Sequence, residues 1–400
     1  MRLTPCYRHD GDLMLPQIFY LTACQWTGDW SNGTVRITSG WGIRMDAIVE
    51  TAPQAPSVRH QMRFEGSGGE YFKIWIVNLA LSIVTLGIFS AWAKVRSKRY
   101  FNGNTYIGEH NFDYHADPIR ILIGRAIAAA VLLIYGLSAA FAPYLIPVIG
   151  IALFFATPWL VNAGLRFNAR NTSYRNIRFD FTGAYPDAFG VYILWPLLVV
   201  VTLGTTIPLA RRARVQYHIN NHTFGSRYFD AQLAGRDMYG IYLSALSIAI
   251  GFMIFAAILF GIAASLYTLM QFPARHEKSP IFVALVAGPY MMAFLFLTTF
   301  VQTRVLSLAI NHTNLSNRFR FESSLSAMKM IGIVFGNLLL ILVTLGLFYP
   351  WARVRTAKYL TSQIAICGAA DLEGITSDLF AEQGAVGEEV ANFFDVDLGL

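Results

Sequence analysis

The stretch Thr85–Tyr100, TLGIFSAWAKVRSKRY, joins the end of an apolar run to a dense basic stripe. It returns near the far end of the chain as Thr344–Tyr359, TLGLFYPWARVRTAKY. Aligned without a gap, residues 71–100 and 330–359 are identical at 14 of 30 positions. The identities include Asn78 with Asn337, Gly87 with Gly346, Trp92 with Trp351, Arg96 with Arg355 and Tyr100 with Tyr359. Two unrelated apolar helices do not place such residue types in register, so the sequence reads as an internal repeat. A weaker third copy, TLGTTIPLARRARVQY, occupies Thr202–Tyr217, with Leu209 in place of the Trp and Ala213 in place of Arg96.

The surroundings are those of a membrane protein. Hydrophobic residues make up 55% of the 400 and charged residues 14%, against about 25% charged in ordinary globular chains. Seven stretches approach the roughly 20 apolar residues that a crossing needs: about 72–92, 119–137, 143–165, 188–210, 240–268, 281–303 and 327–351. Spanning backbone must satisfy its own hydrogen bonds, which favours helices. The sequence therefore predicts an all-α, polytopic helical membrane protein with three internal TLG-type repeats and about seven apolar helical segments. Residues 1–58 read as a poorly defined N-terminal extension without a signal-peptide pattern, with Met45 as an alternative start. Residues 59–166 and 167–305 read as repeat units each followed by a helical hairpin, and 306–362 as a third repeat segment. Residues 363–400 form an acidic tail whose carboxylates, Asp371 to Asp397, meet no Lys or Arg. That tail is expected to dock over the basic stripes from the cytoplasm as an amphipathic helix.

The basic residues flank apolar runs, as topology-setting charges do. If every segment crosses, the long polar stretches and hairpin tips divide 13 Lys and Arg from 9. If the three TLG segments enter and return, the division is 20 against 2. Ordinary crossing is the default, with Pro208 and Pro350 kinking the exit helices, and re-entry is the alternative. The net charge of +7 is spread in this interfacial pattern, so nucleic acid is not the expected partner. The expected partner is the bilayer, with anionic headgroups at the basic stripes.

Candidate binding residues follow from the repeat. Trp92, Lys94, Arg96, Arg99 and Tyr100, and their counterparts Trp351, Arg353, Arg355, Lys358 and Tyr359, suit a membrane boundary. They read either as anchors or as a site for a lipid headgroup or anionic solute. Asn78 and Asn337 lie in otherwise apolar helix and need a partner in protein or water. They read either as helix–helix glue or as the lining of a pathway. His218 and His222 lack a following Glu and a third ligand, so no metal site is expected. Cys6, Cys24 and Cys367 follow no ligand spacing. The Gly-rich EGSGGE of Glu65–Glu70 lacks the Gly-Lys-Ser/Thr of a phosphate loop. No nucleophile–base pair can be read from spacing, so neither an enzyme nor a cofactor is expected.

The segment FEGSGGEYFKIWIVNLALSIVTLGIFSAWAKVRSKRYFNGNTYIGEHNFDY, with its TLG-x-[FY]-x-x-W-A-[KR]-x-R pattern, resembles the bacterial inner-membrane proteins of the YjgN family (DUF898). The resemblance covers about residues 60–400 and departs from the pattern in the second copy. It implies a multi-pass location in the bacterial inner membrane and no chemistry, since the family has no established activity. Repeats, broken apolar helices and intramembrane Asn suit a transporter or channel for a small, anionic solute. The alternative is a non-transporting scaffold that binds lipid or a partner.

Overall fold

The computed structural model describes residues 58–269, 280–316 and 318–368, and the backbone of four short strands before them. The chain divides into two units, Met1–Pro56 and Ser57–Leu400. In the first, β1 (Cys6–Tyr7) pairs with β2 (Leu13–Met14) and β3 (Thr34–Thr38) with β4 (Arg44–Ile48), both antiparallel. The proposed docking of the acidic tail falls on residues 369–400, outside the described residues.

The second unit overturns the all-α expectation. Ten strands, β5 (Val58–Phe64), β6 (Thr105–Ile107), β7 (His110–Tyr114), β8 (Thr172–Tyr174), β9 (Ile177–Phe181), β10 (His222–Phe224), β11 (Arg227–Ala231), β12 (Thr313–Leu315), β13 (Phe319–Ser323) and β14 (Ile364–Gly368), form a closed barrel. Neighbours in sequence are neighbours in space, all antiparallel, and β14 closes on β5. Closure leaves no open edge. The polar stretches between the apolar runs are thus hairpins. Arg175 and Asn176 both take positive φ (51° and 65°) between the paired residues Tyr174 and Ile177, the geometry that suits a two-residue hairpin turn. Gly108 and Gly225 take positive φ in the two equivalent turns.

Alternation fills the barrel. In Ile177-Arg178-Phe179-Asp180-Phe181, every second residue is apolar, so one face turns inward. Ile107, Tyr174, Ile177, Phe224, Phe319 and Ile366 form a buried cluster, and Met62, Phe112, Phe179, Phe229, Leu315 and Phe321 pack against it. All ten strands contribute to this cluster, so the lumen is a packed core.

Five helix pairs stand on this ring. The short ones are α1 (Gly68–Val84) with α2 (Ser90–Gly103), α5 (Tyr185–Phe189), a π turn (Gly190–Leu194) and α6 (Trp195–Val201) with α7 (Ile207–Asn220), and α10 (Ala327–Val343) with α11 (Tyr349–Ser362). Between them rise the long pairs α3 (Pro118–Phe141) with α4 (Leu145–Arg170), and α8 (Gly235–Leu269) with α9 (Pro280–Asn311). Each pair leaves the ring and returns to it. Glu65 N donates to Asn104 O at 2.9 Å, His115 N to Asn171 O at 2.8 Å, Thr182 N to Asn221 O at 2.9 Å and Ser324 N to Gln363 O at 2.9 Å. Four helices, Pro118–Phe141, Leu145–Arg170, Gly235–Ile258 and Gly288–Asn311, are long and apolar enough to cross a membrane. The TLG segments are not among them, because each is split into two helices.

Thr-Leu-Gly is the cause of the split. Gly87 N donates to Ser82 O at 2.7 Å and Leu86 N to Ile83 O at 3.1 Å, which closes the last turn of α1 as a Schellman stop. Leu86 then lies at φ 50° and Gly87 at φ 91°. The Thr85 hydroxyl accepts from Phe89 N at 2.9 Å and so caps the next turn. The same bonds recur at Gly346, Leu345 and Thr344, and the backbone pair recurs at Leu203 and Gly204. Pro208 and Pro350 kink nothing, contrary to expectation. Each lies in the first turn of its helix, where a missing N–H is costless.

Candidate functional site

The tyrosine that ends each basic stripe is a latch. Tyr100 Oη donates to Ser67 O at 2.8 Å and Tyr359 Oη to Ser326 O at 3.1 Å, which ties the return helix to the start of the outgoing one. Ser67 and Ser326 also cap α1 and α10, accepting from Glu70 N and Lys329 N. In the middle pair, Tyr217 Oη donates to Asn162 Oδ1 at 2.6 Å. Arg99 donates to Tyr114 O at 3.2 Å and Ala116 O at 3.4 Å, pinning α2 to the end of β7. Tyr100, Tyr359 and Arg99 therefore hold the fold. Arg96, Arg355 and Lys358 are exposed and do not line the cavity described below, and Trp92 stacks on Phe89.

The first and last pairs meet side by side. Trp351 on α11 lies over the first turn of α1, where a Cβ on Gly68 would fall 2.2 Å from its ring. Its indole also packs on Phe72 at 5.0 Å, and Trp75 packs on Tyr349 at 6.1 Å. Between α1, α2 and α11 opens a cavity of about 560 Å³. Lys94 and Lys98 from α2 and Arg353 from α11 line it, with Asn78, Trp75 and Tyr349. Arg353 is set by a bond to Tyr349 Oη at 3.1 Å and by the Phe101 ring 5.1 Å away. Lys98 Nζ donates to Asn168 Oδ1 at 2.5 Å. Burial, and then the neighbouring Lys94, hold its ammonium below the usual lysine range. No carboxylate lines the cavity.

Asn78 is unsatisfied at both ends of its amide, Asn337 only at its Oδ1. Asn78 is 5% exposed, and neither its Nδ2 nor its Oδ1 has a partner among the described residues. Asn337, at the matching place in α10, donates to Ala352 O and Thr356 Oγ1, both at 3.3 Å, and so joins α10 to α11. The two asparagines are therefore not a facing pair. In delipidated protein, Asn78→Leu is expected to raise the unfolding free energy by about 1 kcal/mol and Asn337→Leu to lower it by about 1 kcal/mol. Thermal unfolding in detergent checks this, and equal responses would contradict it.

Sequence reasoning brought Asn78, Lys94 and Arg353 forward, and the structure assembles these three. It missed Lys98 as a site residue, because Ala357 fills its place in the last copy. His218 contacts the Tyr192 hydroxyl, and His222 opens β10. No group of His, Cys, Asp or Glu that could hold a metal occurs among the described residues.

On the described helices, charge is confined to the base of each pair. Lys94, Arg211 and Arg353 each lie nine residues before the end of their helices, about 13 Å from the ring. On the long helices, Arg125 and Arg304 lie seven residues from the ring, at about 11 Å. Beyond these, no described helix carries a charge. The tips of the short pairs are apolar and bare: Leu86, Leu203 and Leu345 are 93–94% exposed.

Residues 59–393 match the family described as "Bacterial protein of unknown function (DUF898)". The chain belongs to this family. The DUF898 chain is 24% identical over 367 residues to "Inner membrane protein YjgN" of Salmonella typhimurium strain LT2, covering 80% of this chain and 91% of the relative. The proteins of the same name from Escherichia coli O157:H7 and strain K12 are each 29% identical over 152 residues, 36% of this chain and 37% of theirs. No solved structure matches. The resemblance seen in the TLG segments thus extends over most of the chain, and the chain is an inner-membrane protein.

Proposed function

We propose that the protein is a non-transporting, multi-pass scaffold that grips the cytoplasmic leaflet of the inner membrane. In this reading the barrel and the C-terminal segment lie in the cytoplasm, the two long pairs cross, and the three short pairs enter one leaflet and return. One observation carries it: every helix pair starts and ends on one ring, and the charge on its described helices lies near that ring. A bilayer face set at the level of Lys94, Arg211 and Arg353 puts 20 of the counted Lys and Arg on the cytoplasmic side, as the positive-inside tendency asks. The 17-residue outgoing helix of the first and last short pairs rises about 25 Å from the ring, or about 12 Å past that level. That is close to half of a roughly 30 Å hydrocarbon core.

Two features favour scaffolding over passage of a solute. The barrel lumen is filled by side chains, and the crossing helices are nearly bare along their apolar windows, with no packed interface between the two long pairs among the described residues. No catalytic role is assigned. Single cysteines at Arg96 and Arg214, with a third at Ala142, test the arrangement by impermeant thiol labelling in spheroplasts and in inverted vesicles. The expected result is labelling of the first two from the cytoplasm and of the third from the periplasm. Labelling of Arg96→Cys and Arg214→Cys from opposite sides would replace re-entry with ordinary crossing.

A further inference from the structure

We propose that the cavity between α1, α2 and α11 binds an anionic phosphate group, carried either by a phospholipid headgroup or by free phosphate. Three independent features point there. The first is charge: Lys94, Lys98 and Arg353 converge from two helix pairs without a lining carboxylate. Cations so gathered repel one another unless an anion joins them. The second is the Asn78 amide, buried and unpartnered at both ends. Buried polar groups are nearly always bonded, Asn78 is among the residues lining this cationic cavity, and an amide N–H there suits a phosphate oxygen. The matching Asn337 also has an unpartnered Oδ1, but its Nδ2 finds acceptors on its own return helix, so the unmet N–H is particular to Asn78.

The third feature is the wall. Trp75 and Tyr349 give the cavity an aromatic side, as favoured at headgroup depth. Arg353 is already oriented by Tyr349 and Phe101, so less freedom is lost when it pairs with an anion. Lys98 is engaged by Asn168, which leaves Lys94, Arg353 and Asn78 as the direct contacts. The site closes only where the last helix pair meets the first. The choice between lipid and free ion rests on the membrane placement proposed above, whereas phosphate recognition does not.

The test uses the full chain in detergent, titrated separately with phosphatidylglycerol and with inorganic phosphate and read by native mass spectrometry and calorimetry. The double variant Lys94→Gln/Arg353→Gln is compared with Arg96→Gln/Arg355→Gln, which removes the same charge from the same helices outside the cavity. The cavity variant is expected to weaken binding at least about tenfold, and the outer variant less than about threefold. Phosphatidylglycerol binding that inorganic phosphate does not displace identifies the lipid; displacement by millimolar phosphate identifies the free ion. Equal losses in both double variants, or no binding of either probe to the wild type, would overturn the proposal. Asn78→Leu keeps every charge and is expected to weaken binding about fivefold with an unchanged or higher melting temperature. It decides the matter if the cavity double variant does not fold. Failure here with the expected cysteine labelling would reject the site and leave the scaffold reading intact.

Discussion

Replacing Asn162 with leucine is expected to lower the unfolding free energy by about 2–4 kcal/mol. Asn162 is 6% exposed and stands where α4 meets the middle short pair. Its Nδ2 donates to Gly183 O and Ala184 O, both at 3.1 Å, and its Oδ1 accepts from Tyr217 Oη at 2.6 Å. Leucine fills a similar volume but strands the Gly183 carbonyl and removes the short bond of the Tyr217 phenol, while Ala184 O keeps its helix bond from Ala188 N at 3.1 Å. The Tyr217 hydroxyl keeps only a long contact to Ala184 O at 3.4 Å. Equilibrium unfolding in mild detergent measures the loss, and a change under about 1 kcal/mol would contradict the network. A cycle with Tyr217→Phe should give a coupling of about 1–2 kcal/mol, since the two side chains share a bond.

The second large effect reverses with the surroundings. Leu86, Leu203 and Leu345 all lie at φ 50°, a region that favours Gly, Asn and Asp over Leu. The backbone alone would therefore choose Asp at these tips. Leu203→Asp is expected to be neutral or stabilising by up to about 1 kcal/mol in detergent, where the tip can meet water. In a bilayer the same change is expected to cost about 2–3 kcal/mol, the scale for an acidic residue inside the membrane. The tips are far apart in the chain, so the triple variant should lose about the sum. Unfolding followed in detergent and in bicelles separates the two signs. A stabilising effect in both media would mean that the tips do not enter lipid.

The helical part of the fold was legible because its signals are local. Thr-Leu-Gly carries its own stop and cap, and the basic stripe after it is amphiphilic in plain view. The barrel was hidden because its strands are three to seven residues long, too short for periodicity to stand out against the long apolar runs. Ile177-Arg178-Phe179-Asp180-Phe181 does alternate, but it sits in a stretch whose Asn and Arg read equally well as a loop. Closure of β14 on β5 joins Ala365 to Gln61, and nothing near either residue announces the other. The cavity was half visible for the same reason. Lys94 and Arg353 were recognisable as matching positions, whereas their meeting in one space depends on the ring bringing the last pair beside the first. Asn78 and Asn337 are alike in sequence and differ only in what their return helices offer them.

The order of strands around the ring has a consequence for biogenesis. Strand β5 emerges early in synthesis, yet its partner β14 ends at Gly368. All five helix pairs must therefore be in place before the circle can be completed, and folding of the ring has to follow translation rather than accompany it. Until then β5 and β13 each present an open edge, and unpaired strands invite wrong partners. A nascent chain stalled before Ile364 would be a membrane-inserted but unsealed product, which gives quality-control proteases a clear mark to act on.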